Sequence, residues 1–358
     1  MGSEQTWHPT EPFRPRWGIG NGHFQTIASH LLPRTVALPP SEERLIEVAP
    51  GIQVRCECHW QPDSNTNSTD DHRDALTVIA VHGLEGSSDS QYLRGVAQKA
   101  LALGMNAVRM NQRNCGGTEA LAPTLYHSGL SSDVGAVVQT LITTDGLTRV
   151  ALVGYSMGGN LVLKLAGEWG GSRAELRAVA AVCPALDLAA SADALHDRAN
   201  RLYELHFVRR LKQRLALKAK LFPEHFSVSA ANGASTVRAF DNQVTAPFSG
   251  FLDANDYYSQ AAAANVVDRI AVPTVVVHAA DDPFIRILPA TRAKLLANPH
   301  IHYHETASGG HCAFLAAPNG YDGYWAERQI LDFLRQADEQ SNPQAAASVP
   351  PIASTRSS

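Results

Sequence analysis

No run of eighteen or more apolar residues occurs in this 358-residue chain, so no membrane-spanning helix is expected. The first residues, MGSEQTWHPTEPFRPRWG, lack the apolar stretch of a secretory signal. Neither sign of charge stands in large excess: 30 Lys and Arg against 34 Asp and Glu leave a net charge of −4. That argues against a nucleic-acid partner, which requires a basic surplus. There are only five cysteines, an odd number that does not make a disulfide framework. None stands in a CxxC pair, so no metal and no cofactor is expected; reduced thiols fit a cytoplasmic protein. What the chain does have is 44% apolar residues. That excludes a disordered polymer and supplies a core that needs no staples.

Two local signals are weak. Gly2 with Thr6 fits the loose myristoylation pattern, but nothing else points to an anchor. Asn67-Ser68-Thr69 fits a glycosylation acceptor and reads, without a signal peptide, as part of a polar loop over 61–74.

Residues 44–60 alternate apolar and polar around Pro50-Gly51 and predict two half-buried strands, with Cys56 and Cys58 on one face. The runs LTVIAVH (76–82), NAVRM (106–110), RVALVG (149–154), AVAAVC (178–183) and PTVVVHA (273–279) are nearly continuous apolar. Such runs belong to parallel strands covered on both faces. IHYHET at 301–306 is a weaker candidate. Helical patterns lie between them, including 92–103 before Gly104 and a face of Val134, Val137, Val138 and Leu141. Strand–helix alternation implies an α/β fold with a mostly parallel sheet.

The alternation breaks at 187–265, before the strand leading to Asp282. Within it, Leu202, Leu205, Val208, Leu211 and Leu215 recur at helical spacing under a basic face of Arg201, Arg209, Arg210, Lys212 and Arg214. The plain reading is a solvated face over a packing stripe. The functional reading is a cap over the active site that touches an anionic or lipid surface. The expected organisation is an N-terminal arm at 1–43, a core at 44–186 and 266–337, a helical cap at 187–265 and a disordered tail at 338–358.

The most informative segment is VALVGYSMGGN at 150–160: an apolar strand, then G-x-S-x-G, then a helix. That is a nucleophile elbow, with Ser156 at the tip of a tight strand-to-helix turn. Larger side chains at Gly154 and Gly158 would crowd that turn. A serine needs a base and an orienting acid. Downstream stand Asp281 and Asp282, just past a buried strand, and His311 behind Gly309-Gly310. The order Ser, Asp, His is that of α/β-hydrolases. Adjacent side chains leaving a strand diverge, so one aspartate faces His311. Asp282 is favoured because Pro283 restricts it to an extended backbone; Asp281 is left to cap the turn or meet solvent. After the strand at 76–82 comes HGLEG, so the oxyanion amides are expected at Leu84 and Met157. Arg113-Asn114-Cys115-Gly116-Gly117 should rim the same cleft, with Cys115 as a small lining residue.

Together these pieces resemble the YheT-like branch of the α/β-hydrolases, which includes the plant embryogenesis-associated relatives. GNGHFQTI (20–27), HGLEGSS (82–88), RNCGGTE (113–119), GYSMGGN (154–160), FDNQVTAPFSGFLDANDYY (240–258), ADDPF (280–284) and GGHCAFL (309–315) carry it. General α/β-hydrolases lack the first and fifth of these. The resemblance covers most of 13–335 and implies a triad of Ser156, Asp282 and His311. The expected activity is hydrolysis of a small-molecule or lipid-like carboxylic ester through an acyl-enzyme. The alternatives are acyl transfer by the same triad and a non-catalytic ligand-binding scaffold.

Overall fold

The computed structural model describes residues 7–62 and 72–341. The myristoylation pattern at 2–6, the acceptor at 67–69 and the tail from 342 lie outside these.

Eight strands form one sheet in the order β1-β2-β4-β3-β5-β6-β7-β8. They are β1 (Glu42–Ala49), β2 (Ile52–His59), β3 (Thr77–Val81), β4 (Asn106–Met110), β5 (Val150–Tyr155), β6 (Leu176–Val182), β7 (Thr274–Ala279) and β8 (Ile301–Thr306). The first two pair antiparallel around Pro50-Gly51, and β2 pairs antiparallel with β4; all other pairs are parallel. Every expected strand is present. The apolar runs at β3, β5 and β7 are buried along their whole length. The mixed pattern of β8 reflects its place at the sheet edge, where its central residues are only half-buried.

The helices are α1 (Gly22–Leu31), α2 (Gln91–Ala102), α3 (Ser131–Asp145), α4 (Met157–Trp169), α5 (Leu188–Leu195), α6 (Arg201–Leu221), α7 (Val237–Phe240), α8 (Ala246–Phe248), α9 (Ala254–Ala261), α10 (Pro289–Ala297) and α11 (Trp325–Ser341). Side chains of a strand alternate faces, and the sheet therefore feeds two cores. Along β3, Ile79 and Val81 pack with Val137 and Leu141 of α3 and Leu161 of α4. Val78 and Ala80 pack on the other side with Leu93 and Val96 of α2 and Ile330 and Leu334 of α11. Burying such a side chain contributes about 1.5–3 kcal/mol. Cys56 and Cys58 share the first of these cores, as their spacing requires.

Helices α5 to α9 lie between β6 and β7. The apolar stripe of α6 differs from the sequence reading. Val208, Leu211 and Leu215 are buried, but Leu202 is 80% exposed and Leu205 63% exposed. In the first turns of α6 the inward face is taken by Tyr203, Glu204 and Phe207, which leaves Leu202 and Leu205 on the outer face. Its basic face is divided too: Arg201, Arg209 and Arg210 are exposed, whereas Arg214 turns inward to Glu85. At the other end, α11 continues through 338–341, residues assigned by composition to the tail. Ala337 is buried and Asp338 accepts from Arg149 at 2.7 Å, which extends the helix. Among the described residues no helix is long and apolar enough to cross a membrane.

Candidate active site

Because β3, β5, β6, β7 and β8 run parallel, the loops that follow them gather at one sheet edge. Ser156 follows β5. It has φ 55° and ψ −118°, a strained conformation for a residue with a Cβ. Such strain costs about 1–3 kcal/mol and persists only where the surroundings impose it. Here its amide donates to Val182 O at 2.9 Å, and its carbonyl accepts from Asn160 and Ala185. The turn is as tight as the sequence implies. A Cβ on Gly154 would strike the Gly158 carbonyl, and one on Gly158 would strike the Val81 and His82 carbonyls. Asn160 then ties the turn to the insertion. Its Nδ2 donates to Ser128 O and Ala261 O, and its Oδ1 accepts from the Ala263 amide.

Asp282 and His311 meet. Asp282 Oδ2 and His311 Nδ1 are 2.8 Å apart, while Asp282 Oδ1 accepts from the Phe284 and Ile285 amides at 3.1 and 2.9 Å. Burial pushes the Asp282 carboxyl up, but the charge and hydrogen bond of His311 outweigh it and hold the group below its ordinary value. Burial pushes His311 down. Cys312 and Asp282 outweigh that and raise it to about 10. Asp281 faces elsewhere: its Oδ1 accepts from the Gly310 amide at 2.9 Å, so it pins the loop that carries His311. Ser156 Oγ and His311 are not hydrogen-bonded, and Cys312 Sγ lies 3.8 Å from Nε2. Serine–histidine bonds in such sites are often long until substrate tightens them.

The amides beside Leu84 are both taken. Gly83 donates to Tyr92 Oη and Glu85 to Tyr126 Oη, each at 3.0 Å. Met157 opens α4, so its amide has no carbonyl partner within that helix. Leu84, Met157 and Ser156 share the wall of a partly open cavity of about 100 Å³. The rest of its wall is mainly apolar, including Leu195, Phe207 and Leu211. A larger polar cleft of about 530 Å³ beside Asp281 and Arg286 does not include Ser156, so it is not where the serine meets a ligand.

Sequence reasoning missed several residues here. Glu85, at φ 57°, accepts from Arg214 of α6 at 2.7 and 3.0 Å and from Tyr126 Oη at 2.7 Å. Asp241 lines the cavity and accepts from Thr245 and Tyr258; burial still pushes it up to about 6. The family-like segment at 240–258 was the only signal for it. His82 is buried and pushed down to about 4, accepts from the Gln112 amide and spans to Gly83 O, so it braces the loop as a neutral ring. Cys115 is not a lining residue: it packs behind the wall on Tyr126 and Met157. Arg113 is likewise buried, paired with Asp133 at 2.5 Å.

The N-terminal segment at 20–27 braces the histidine loop. Thr26 Oγ1 accepts from the His311 amide at 2.8 Å, and Gln25 bonds both the amide and the carbonyl of Leu315.

Comparison with known proteins agrees with this architecture. A family model described as alpha/beta hydrolase fold matches residues 77–318. The candidate esterase YheT of Escherichia coli (strain K12) is 32% identical over 326 residues, covering 90% of this chain and 92% of that protein. Phospholipase ABHD3 of Mus musculus is 27% identical, covering 88% and 75%. Among solved structures, the esterase Pf2001 of Pyrococcus furiosus aligns with a TM-score of 0.52 at 16% identity, covering 85% and 98%, a likeness of fold.

Proposed function

The chain belongs to the alpha/beta hydrolase fold family, and on that premise we propose that it is a serine carboxylester hydrolase with Ser156, His311 and Asp282 as its triad. Two observations carry this reading: the strained serine at the head of α4, and a carboxylate–imidazole pair at 2.8 Å on loops that leave the same parallel sheet. Ser156 Oγ attacks the ester carbonyl carbon while His311 Nε2 takes its proton. Asp282 fixes the ring with Nδ1 protonated and stabilises the imidazolium that forms. The Leu84 and Met157 amides hold the oxyanion, a contribution of a few kcal/mol (about 2.7–4 for one donor). Collapse expels the alcohol, which takes the proton from His311. Water, deprotonated by the same nitrogen, attacks the acyl-enzyme, and the acid leaves as Ser156 recovers its proton.

The insertion at 187–265 acts as a cap, and the apolar cavity beneath it takes the acyl chain. An esterase, a phospholipase and a monoacylglycerol lipase among the relatives' names support a lipid-like ester as substrate. A fluorophosphonate probe is expected to label Ser156 in the folded protein. Ser156→Ala should fold, lose the label and lose roughly a millionfold in turnover of p-nitrophenyl esters. Hydrolysis retained above a few per cent of the parent rate rejects the covalent mechanism. Products formed with an added alcohol distinguish hydrolysis from acyl transfer.

A further inference from the structure

Two cysteines that are 129 positions apart in the sequence meet beside His311. Cys183 follows β6 and is fully buried; Cys312 follows His311 and is half-buried. Both hold positive φ, 44° and 60°, an uncommon conformation for side chains with a Cβ. Several contacts impose that geometry. The Cys312 amide donates to Cys183 Sγ at 3.4 Å, Cys312 Sγ reaches Val182 O at 3.5 Å, and Cys183 Sγ faces Gly310 O at 3.6 Å. The two sulfurs and a ring nitrogen of His311 all lie within 4.8 Å of one another.

We propose that Cys183, Cys312 and His311 form a binding site for a soft divalent cation, zinc above all, and that its occupation switches the enzyme off. A tetrahedral zinc holds sulfur at about 2.3 Å and nitrogen at about 2.0 Å, which sets its ligands roughly 3.3–3.8 Å apart. Cys312 Sγ is 3.8 Å from His311 Nε2 and 3.9 Å from Nδ1, within reach of the ring but not on the Nε2 lone pair, so a turn of the thiol about Cα–Cβ is needed to complete the site. Thiolate and imidazole donors select zinc over the hard cations. The histidine also has the outer partner that metal-bound histidines use: its Nδ1 is held by the Asp282 carboxylate at 2.8 Å, which leaves Nε2 as the donor. Three protein ligands leave the fourth position to water. Each thiol that binds releases its proton to solvent, so affinity rises with pH. The switching effect rests on the triad reading, because zinc on Nε2 occupies the lone pair that would take the serine proton. Binding itself does not rest on it.

The test uses the full chain, reduced with a phosphine and stripped of metal by a chelator. Titration with Co²⁺ as a spectroscopic stand-in is expected to give one site per chain and a sulfur-to-cobalt charge-transfer band in the near ultraviolet. Zn²⁺ should abolish that band by displacement. Cys183→Ser and Cys312→Ser should each lose the band and weaken Zn²⁺ by more than about a hundredfold, beyond the loss caused by removing an outer partner. Ser156→Ala should bind Zn²⁺ like the parent, so the site is measured even in a protein without turnover. Ester hydrolysis should be inhibited by Zn²⁺, restored by chelator and made insensitive by Cys183→Ser. Absence of the band, its survival in both cysteine variants, or zinc inhibition unchanged in Cys183→Ser overturns the proposal.

Discussion

At the scale of single residues, the two adjacent aspartates differ in what they touch. Asp282 accepts from His311 and from two backbone amides, while Asp281 accepts from Gly310. Asp282→Asn is expected to cut kcat roughly ten-thousandfold by favouring the wrong histidine tautomer. Asp281→Asn should cost far less, since it only loosens the loop; the reverse ranking in folded variants moves the assignment to Asp281. His311 supplies a second residue-scale prediction. It accepts a proton only when neutral, so kcat/KM should rise with pH, along a limb displaced above the ordinary histidine value of about 6.5. Cys312 is a cause of that upward shift. Cys312→Ala should therefore move the limb down, and an unmoved limb contradicts the coupling. A raised pKa also links to folding: the contribution is complete below the unfolded value and is lost as pH rises through the folded one.

At the scale of elements, α6 is joined to the loop after β3 by Arg214 and Glu85, whose side chains are nearly buried. That loop carries Leu84, so the insertion fixes the amide expected to meet the oxyanion. Arg214→Ala leaves the Glu85 carboxylate only Tyr126 Oη and, at 3.8 Å, Arg210, and should cost less than the roughly 3–5 kcal/mol of a fully unpaired buried charge. It should also lower kcat more than it raises KM, whereas Arg214→Lys should recover part of the rate. If both variants keep the parent kcat at a temperature where they are folded, the loop does not depend on α6. Nothing in the sequence pairs these residues, which are 129 positions apart. The strands were legible because a parallel strand buried on both faces needs a continuous apolar run such as VVV at 275–277. The α6 stripe was only half legible. Helical periodicity marks what is able to pack, and Leu202 and Leu205 fall on the outer face of a turn whose inner face is filled by Tyr203 and Phe207.

At the scale of the whole molecule, the proposed triad of Ser156, Asp282 and His311 can be nominated from the sequence because each has a local mark: a glycine-framed turn, an acid past a strand, a histidine behind two glycines. Their support was not readable, because it comes from far along the chain. Leu315 is bonded by Gln25, 290 positions away, with the Gln25 Oε1 on its amide at 2.8 Å and Nε2 on its carbonyl at 3.0 Å. One residue on, Thr26 Oγ1 holds the His311 amide at 2.8 Å and itself donates to Gly22 O at 2.7 Å. Gln25 and Thr26, both in α1, therefore strut the loop that carries His311. The Leu315 carbonyl keeps the Arg16 amide at 2.9 Å, but Gln25→Ala leaves the buried Leu315 amide unsatisfied, which costs about 1–3 kcal/mol. Its unfolding midpoint should fall by several degrees. Thr26→Val keeps the shape and removes the hydroxyl that accepts from the His311 amide and donates to Gly22 O, so it should leave the midpoint nearer the parent's while lowering kcat and sparing KM. Thermal melts followed by circular dichroism, with ester kinetics well below either midpoint, separate the two effects. If Thr26→Val matches the parent in kcat, the strut steadies the fold without positioning the histidine.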